Sequence, residues 1–331
     1  MIKYMDAQCR KERVALLSVV SNMTLVIMKL VVGVWIGSVS VISEAVHSGV
    51  DLIAAVIALF SVKTSSLPAD GKHPFGHGKI ENISGTVEAL LIFVAAIWII
   101  WEAIQKIIEP QPVETVGWGV IVMLLSAAAN TVVARMLFKV GKETDSVALI
   151  ADGWHLRTDV YTSAGVTVSL AAIWGGELLF PERHFHWLDP VAAIGVACLI
   201  LKAAWDLTRQ SAGGLMDETL PPEEEEEIRR LICSQLPLVH GFHQLRTRKA
   251  GHFRFIEVHI QVDGKMSVET AHALNQDLVR RIKDRFHQAT VTVHTEPCSG
   301  QCAEKCLAGC LLTEEERTRI RQAGAQNTEN D

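Results

Sequence analysis

Long apolar runs fill most of the first 210 positions, and short polar stretches separate them. About 20 consecutive apolar residues form a helix long enough to cross the hydrocarbon core of a bilayer. The runs predict six transmembrane helices, over roughly residues 14–36, 40–62, 80–108, 115–138, 145–178 and 187–209. The third and fifth runs are longer than a bilayer requires, so we expect these two helices to tilt or to extend beyond it.

The pattern changes near residue 221, where charged residues become frequent. Residues 221–236 begin with two prolines and five glutamates, which suit the N-terminus of a helix. Two alternating segments then predict strands, an amphipathic segment over 267–286 predicts a helix, and 289–297 predicts a closing strand. The order αββαβ predicts a small open sheet with two helices on one face.

The chain is therefore predicted to consist of three parts. An α-helical membrane domain with six transmembrane helices occupies residues 1–212, an α/β domain occupies 213–298, and a cysteine-containing polar tail occupies 299–331. Lysine and arginine are concentrated in the N-terminus and in the connections after spans two and four. Because cytoplasmic loops are enriched in these residues, both termini are predicted to be cytoplasmic. The net charge of −6 gives no reason to expect a nucleic-acid partner.

Two predicted spans share one pattern of ionisable residues, acid-x-x-His-x-x-x-Asp. It comprises Glu44, His47 and Asp51 in span two, and Asp152, His155 and Asp159 in span five. Residues three, four and seven positions apart share one face of a helix, so each span presents a polar stripe. Ionisable side chains inside a membrane are costly and usually functional.

If the two stripes meet, they bring together two imidazoles and two carboxylates, those of His47, Asp51, His155 and Asp159. This set of nitrogen and oxygen ligands suits a tetrahedral Zn²⁺ site, although geometry must select zinc over other divalent metals. The alternative is a proton relay, or a pair of His–Asp hydrogen bonds that join the spans. The duplicated spacing favours a metal. Glu44 and Asp152 lie one turn away, either supporting the ligands or exposed at the mouth of a cavity.

The connection after span two reads PADGKHPFGHGKIE, from Pro68 to Glu81. Together with His47-x-x-x-Asp51 and His155-x-x-x-Asp159, it resembles the cation diffusion facilitator family of divalent-metal exporters, and in particular its bacterial zinc and ferrous-iron branch. The resemblance covers roughly residues 10–298. It implies a homodimer with six spans per chain in membrane lipid and a cytoplasmic, metallochaperone-like C-terminal domain. The implied activity is export of Zn²⁺, or of Cd²⁺, Fe²⁺ or another divalent metal, in exchange for protons across the bacterial inner membrane.

The resemblance also assigns roles to individual residues. His47, Asp51, His155 and Asp159, here called the quartet, correspond to the transport site. Members of the family that prefer zinc commonly have histidine at the position of His47. Asp70, His73 and His77 correspond to a second, loop-borne site, and two histidines with an acid three residues earlier favour a metal there over the alternative, a polar turn. The family also binds structural or regulatory zinc at its cytoplasmic dimer interface. By resemblance, the ligands there correspond to His243, His259, His272, His294 and Glu296, with Glu296 in place of the usual Asp.

Two other classes of function are open. An intramembrane metalloenzyme is disfavoured because the chain lacks both a His-Glu-x-x-His motif and a Gly-x-Ser-x-Gly elbow, so no enzyme is predicted. A metal sensor or scaffold would be favoured by the loss of a quartet residue, and none is lost.

The tail carries a cysteine at every fourth position: Cys298, Cys302, Cys306 and Cys310. In a helix the first and last would be about 18 Å apart, too far to share one ion. The tail is therefore predicted to be disordered with reactive thiols, and a short polar helix is predicted after it.

Overall fold

The computed structural model describes residues 2–36, 39–108, 118–179, 188–298 and 304–328. Contacts between residues divide the chain into two compact units, Met1–Leu215 and Met216–Asp331. The first unit is helical and the second contains a three-stranded sheet.

Six long helices form the described part of the first unit. They are α1 (Ile2–Ile36), α2 (Val39–Ser65), α3 (Lys79–Ile108), α4 (Trp118–Thr144), α5 (Val147–Leu179) and α6 (Leu188–Leu215). Each corresponds to a predicted span, but α1 begins at Ile2 because the polar residues before the apolar run also favour a helix. The helices α4 and α6 also continue past the predicted ends of their apolar runs, to Thr144 and Leu215. The predicted start of the fourth span, residues 115–117, lies outside the described residues.

Within the residues whose side chains the structure describes, five of these helices contain a segment long and apolar enough to cross a membrane: Asp6–Trp35, Ala45–Ser65, Lys79–Ile108, Leu124–Thr144 and Pro190–Leu215. The fifth helix is not among them, and its first half carries Asp152, Arg157 and Asp159. Large apolar side chains such as Val34 and Trp98 are exposed on the helices, as expected where lipid covers them. The predicted helical transmembrane region is confirmed.

Within this unit α1 packs on α2, α3 on α6, and α4 on α5. Small residues allow α3 and α6 to approach closely. A Cβ atom added at Gly214 would lie 2.2 Å from Asn82 Nδ2, and one added at Gly85 would lie 2.6 Å from Ser211 Oγ. A larger residue at either position would have to displace the side chain of Asn82 or Ser211, and such close packing at small residues is common between membrane helices.

A buried ion pair joins four of the helices. Glu81, on α3, is fully buried, and its Oε1 lies 3.2 Å from the Nζ of Lys11 on α1. Ser65, at the end of α2, donates to Oε1 at 2.9 Å, and Ser146, directly before α5, donates to Oε2 at 2.7 Å. Both carboxylate oxygens are thus satisfied, as a buried charge requires.

The second unit has the predicted order αββαβ. Its elements are α7 (Pro222–Cys233), β1 (Gly241–Ala250), β2 (Phe253–Val262), α8 (Val268–Arg285) and β3 (Ala289–Pro297). The strand order is β1-β2-β3, with β1 antiparallel and β3 parallel to β2. The core contains Ile228 and Ile232 from α7, Leu278 and Ile282 from α8, and Ile256, Val258 and Ile260 from β2. Because side chains alternate along a strand, His259 and Gln261 point to the face opposite these helices.

The disorder predicted for the cysteine segment is wrong over the described residues 304–313. A short helix, α9 (Glu304–Leu307), leads into a segment that lies along β1, with a bridge between Gly241 and Cys310. Phe242 N donates to Gly309 O at 3.0 Å, and α10 (Glu314–Thr328) follows as predicted. Sequence reasoning missed this docking because the unpaired edge of β1, which the segment occupies, exists only in the folded unit. Cys302 lies outside the described residues.

Candidate metal centres

The two polar stripes of the membrane unit meet. His155 Nε2 on α5 lies 3.0 Å from Asp51 Oδ1 on α2, and His47 Nε2 on α2 lies 3.9 Å from Asp159 Oδ1 on α5. Each helix thus contributes one histidine and one aspartate, and each pair joins the two helices. Asp51 and His155 are buried, Asp159 is partly buried, and the side chain of His47 is about half exposed.

Three members of the quartet form a compact group of potential metal ligands. One ligand atom from each of His47, Asp51 and Asp159 lies within 4.8 Å of the others. His155 is connected to this group through Asp51. Imidazole nitrogen and carboxylate oxygen are ligands that Zn²⁺ accepts, so the chemistry of the group fits a divalent cation.

A cavity of about 130 Å³ lies beside this group. Besides His47, Asp51 and Asp159, it is lined by polar residues of four helices: Lys29 of α1, Ser48 of α2, Ser126 and Asn130 of α4, and Thr162 and Ser163 of α5. Asn130 Oδ1 and Asp159 Oδ2 are buried, with no hydrogen-bond partner in the described part of the chain.

Sequence reasoning missed the contribution of α4. Ser126 and Asn130 are four residues apart and therefore share one helix face. A polar pair with this spacing inside an apolar span is the signal that would have found them.

The remaining ionisable residues of spans two and five differ in position. The side chain of Glu44 lies outside the described residues. Asp152 is fully buried, so an exposed position at a cavity mouth is wrong for it. Arg157 is exposed. Its Cζ atom lies 5.2 Å from the ring centre of Trp154 and 5.3 Å from that of Tyr161, so the guanidinium group packs on aromatic rings.

A second group lies in the connection between α2 and α3. Asp70, His73 and His77 each place one potential ligand atom within 4.8 Å of the others. His73 Nδ1 lies 3.2 Å from Asp70 Oδ1, and His77 Nε2 lies 3.6 Å from Asp70 Oδ2. The backbone N–H groups of His73 and Lys72 donate to Asp70 and hold the pKa of that carboxyl below its usual value. Asp70 therefore stays anionic, as a ligand must.

The third group lies in the second unit, on the sheet face opposite the helices. His243, His259 and His294 stand side by side in the register of the three strands. Glu296 connects them, with its carboxylate oxygens 2.8 Å from His259 Nδ1, 3.3 Å from His243 Nε2 and 3.6 Å from His294 Nε2. The His259 hydrogen bond is the main cause of a lowered pKa at Glu296.

Not every predicted ligand of this unit joins the group. The compact set consists of His243, His259 and Glu296, while the ring centre of His294 lies 4.6 Å from that of His259. His272 is exposed on α8, and among the described residues no contact connects it to the set. A β-bulge directly after His243, where Gln244 has a φ of 50°, shifts the register of β1 against β2, and regular pairing resumes at Arg246.

A helical membrane unit with a buried ligand group, followed by an α/β unit with a ligand group of its own, is the architecture of a membrane-embedded cation transporter. The family model described as the cation efflux transmembrane domain matches residues 15–216, and that of the cation efflux protein cytoplasmic domain matches residues 220–298. The chain belongs to the cation diffusion facilitator family of divalent-metal exporters, as the sequence motifs predicted.

Two transporters with similar sequences agree with this assignment. The chain is 36% identical over 261 residues to an uncharacterized transporter of Synechocystis sp., covering 79% of this chain and 82% of that protein. It is 31% identical over 287 residues to the cation-efflux pump FieF of Citrobacter koseri, covering 87% of this chain and 93% of the pump. The metal-bound C-terminal domain of the CzcD transporter from Thermotoga maritima is 34% identical, with a TM-score of 0.22, and the match covers 24% of this chain and 94% of that domain.

Proposed function

We propose that this cation efflux transporter is a proton-coupled antiporter that exports Zn²⁺ from the cytoplasm. The observation that carries the proposal is the convergence of His47, Asp51 and Asp159 beside a cavity in the membrane unit, with His155 hydrogen-bonded to Asp51. In this proposal all four residues are ligands of the transported ion.

Zinc is favoured over harder cations by the ligand set. Two imidazoles with two carboxylates suit a tetrahedral zinc ion, whereas Mg²⁺ and Ca²⁺ prefer oxygen ligands in larger number. Ligand atoms about 2 Å from a shared zinc ion are about 3.3 Å apart. The atoms of the compact group, which lie within 4.8 Å of one another, would therefore move together slightly on binding.

Proton coupling follows from the same ligands. Histidine and carboxylate must lose their protons before they can ligate a metal, so protons and metal compete for the same atoms. Protons that reach the site from the outer face would therefore help to release the ion. The chemistry required is binding and release, without a catalysed reaction.

The remaining assignments belong to the same proposal. Residues 1–212 form the transport domain, 213–298 the cytoplasmic metal-binding dimerisation domain, and 299–331 the tail. Asp70, His73 and His77 form a second metal site in the loop. Zinc bound by His243, His259, His272, His294 and Glu296 supports a homodimer. The transporter lies in the bacterial inner membrane with both termini in the cytoplasm, as the lysine and arginine distribution indicates.

The test is ion uptake by inverted membrane vesicles that contain the transporter and an internal pH reporter. An imposed proton gradient, acidic inside, should drive zinc uptake, and zinc uptake should in turn alkalinise the lumen. Cadmium, ferrous iron and manganese are tested one by one under the same gradient. Zinc uptake that is unaffected by collapse of the proton gradient would refute the coupling. No zinc uptake under any gradient would favour a sensor or scaffold.

A further inference from the structure

The cavity beside the proposed transport site also contains a lysine. Lys29 lies on α1 and lines the cavity, with 6% of its surface exposed. Its Nζ donates to Ser48 Oγ at 2.8 Å, and Ser48 directly follows His47 on α2. The ammonium group is thus held by the helix turn that carries two of the proposed metal ligands.

The charges that line this cavity are unequal. Asp51 and Asp159 contribute two carboxylates, and Lys29 is the only lysine or arginine among the cavity-lining residues that the structure describes. One ammonium offsets one of the two carboxylates. A divalent ion bound between neutral histidines and these carboxylates would therefore leave the cavity with an excess positive charge. Without the ammonium, the same ion and the two carboxylates would be balanced.

Repulsion between the ammonium group and a bound ion acts at short range. Lys29 and the proposed metal ligands line the same cavity of about 130 Å³. Solvent and salt screen buried charges weakly, so the repulsion is much larger than between two exposed cations. The repulsion is present only when the ion is bound. It therefore raises the free energy of the metal-bound site and lowers the affinity of the site for the ion.

We propose that Lys29 is a built-in competitor of the transported cation. In the empty transporter the ammonium compensates part of the carboxylate charge, and in the loaded transporter it weakens metal binding so that the ion can leave. Lys29 is in this view a residue that sets affinity and release, and it does not ligate the metal. The inference rests on the proposed function, because it takes His47, Asp51, His155 and Asp159 as the transport site.

The test compares a neutral and a charge-retaining variant of Lys29. Lys29→Gln removes the charge but keeps an amide that can donate to Ser48, and Lys29→Arg keeps the charge. Zinc affinity is measured by equilibrium titration of the full-length protein in detergent, in a background that carries Asp70→Ala and Glu296→Ala so that the other two groups are weakened. The signal of the membrane site is identified as the part that disappears when Asp159→Ala is added.

We expect the neutral variant to bind zinc more tightly and to transport it more slowly. Lys29→Gln should bind zinc about tenfold more tightly or better, whereas Lys29→Arg should bind it about as the parent protein does. In vesicles Lys29→Gln should lower both the zinc concentration for half-maximal uptake and the maximal rate, because release becomes slow. If Lys29→Gln does not fold, Lys29→Met, of similar volume, replaces it in the same comparison.

Other outcomes separate the inference from the proposed function. Unchanged or weaker zinc affinity in a folded neutral variant would overturn the competitor role and leave Lys29 as a tie between α1 and α2. The same conclusion would follow if both neutral variants failed to fold while Lys29→Arg folded normally. If the parent protein shows no zinc binding that depends on Asp159, the proposed transport site itself is wrong.

Discussion

Asp159 is the proposed ligand whose surroundings bear most directly on the proposed proton coupling. One of its carboxylate oxygens lies 3.9 Å from His47 Nε2, and the other is buried with no hydrogen-bond partner among the described residues. An unsatisfied buried oxygen is costly unless a proton or a cation occupies it at some stage of the cycle. In the proposed transport cycle, this oxygen would bind the metal ion and the proton in turn.

We expect Asp159→Ala to abolish zinc transport, lowering the rate by at least about 100-fold, because one of four ligands is lost. The protein should remain folded, since Asp159 Oδ2 has no hydrogen-bond partner among the described residues and the 3.9 Å contact of Oδ1 is to the half-exposed His47. Zinc uptake into vesicles measures the rate, and size-exclusion chromatography in detergent measures folding. Asp206→Ala is the matched control, because Asp206 is exposed on α6 away from the cavity. Near-normal transport by Asp159→Ala would exclude the quartet as the transport site.

His47 should influence which metal is transported. His47→Asp replaces a borderline nitrogen ligand by a hard oxygen ligand, so we expect the preference for zinc over manganese to fall several-fold. The readout is the ratio of zinc to manganese uptake in the same vesicle preparation, with cadmium as a further competitor. A ratio equal to that of the parent protein would mean that His47 does not select the metal.

Among the elements, the helices of the membrane unit depend on the buried pair of Lys11 and Glu81. Glu81→Gln leaves the Lys11 ammonium buried without its counter-charge, and we expect a loss of about 3–5 kcal/mol of stability. Thermal unfolding in detergent measures this loss. Glu143→Gln is the control. Glu143, on α4, pairs with Arg10, which precedes Lys11 on α1. This pair is exposed, and an exposed pair contributes at most about 1 kcal/mol. Equal stabilities of the two variants would contradict the importance of the buried pair.

The docked tail depends on a glycine. A Cβ atom at Gly309 would lie 1.7 Å from Phe242 O, so Gly309→Ala should displace the segment from β1. The amide of Phe242, which donates to Gly309 O, should then exchange its hydrogen faster with solvent. Gly264→Ala is the control, since its nearest neighbour would be 3.5 Å away at Pro297 Cβ. Unchanged exchange at Phe242 in Gly309→Ala would show that the segment does not protect this edge.

For the whole molecule, dimerisation is the property that the second unit should control. If zinc bound by the group around Glu296 joins two copies, it stabilises the dimer by mass action. We therefore expect His243→Ala to weaken the zinc-dependent part of the association at least about tenfold. Sedimentation of residues 216–331, which have their own hydrophobic core, measures the association with zinc and with chelator.

The exposed His287, which lies between α8 and β3, provides the control variant His287→Ala. Dimerisation of equal strength with zinc and with chelator would refute the role of the metal.

The sequence by itself determined most of the fold. Apolar runs of bilayer length fix the membrane helices, because unpaired backbone groups are too costly in lipid for other structures. The alternation of residues in β1 and β2 and the helical spacing of Leu274, Leu278 and Ile282 fix the αββαβ order of the second unit. The duplicated acid-x-x-His-x-x-x-Asp pattern also predicted that α2 and α5 meet, and they do.

Only the tertiary structure decided what surrounds these residues. Periodicity shows which residues share a face of one helix, but it does not show which faces of different helices meet. Asn130 and Lys29 therefore became part of the cavity only when α4 and α1 were placed beside α2. Likewise, the edge of β1 on which the tail docks, and the register that brings His243, His259 and His294 together, arise from pairing between distant segments. Such pairing depends on the packing energy of the whole unit, which no local pattern contains.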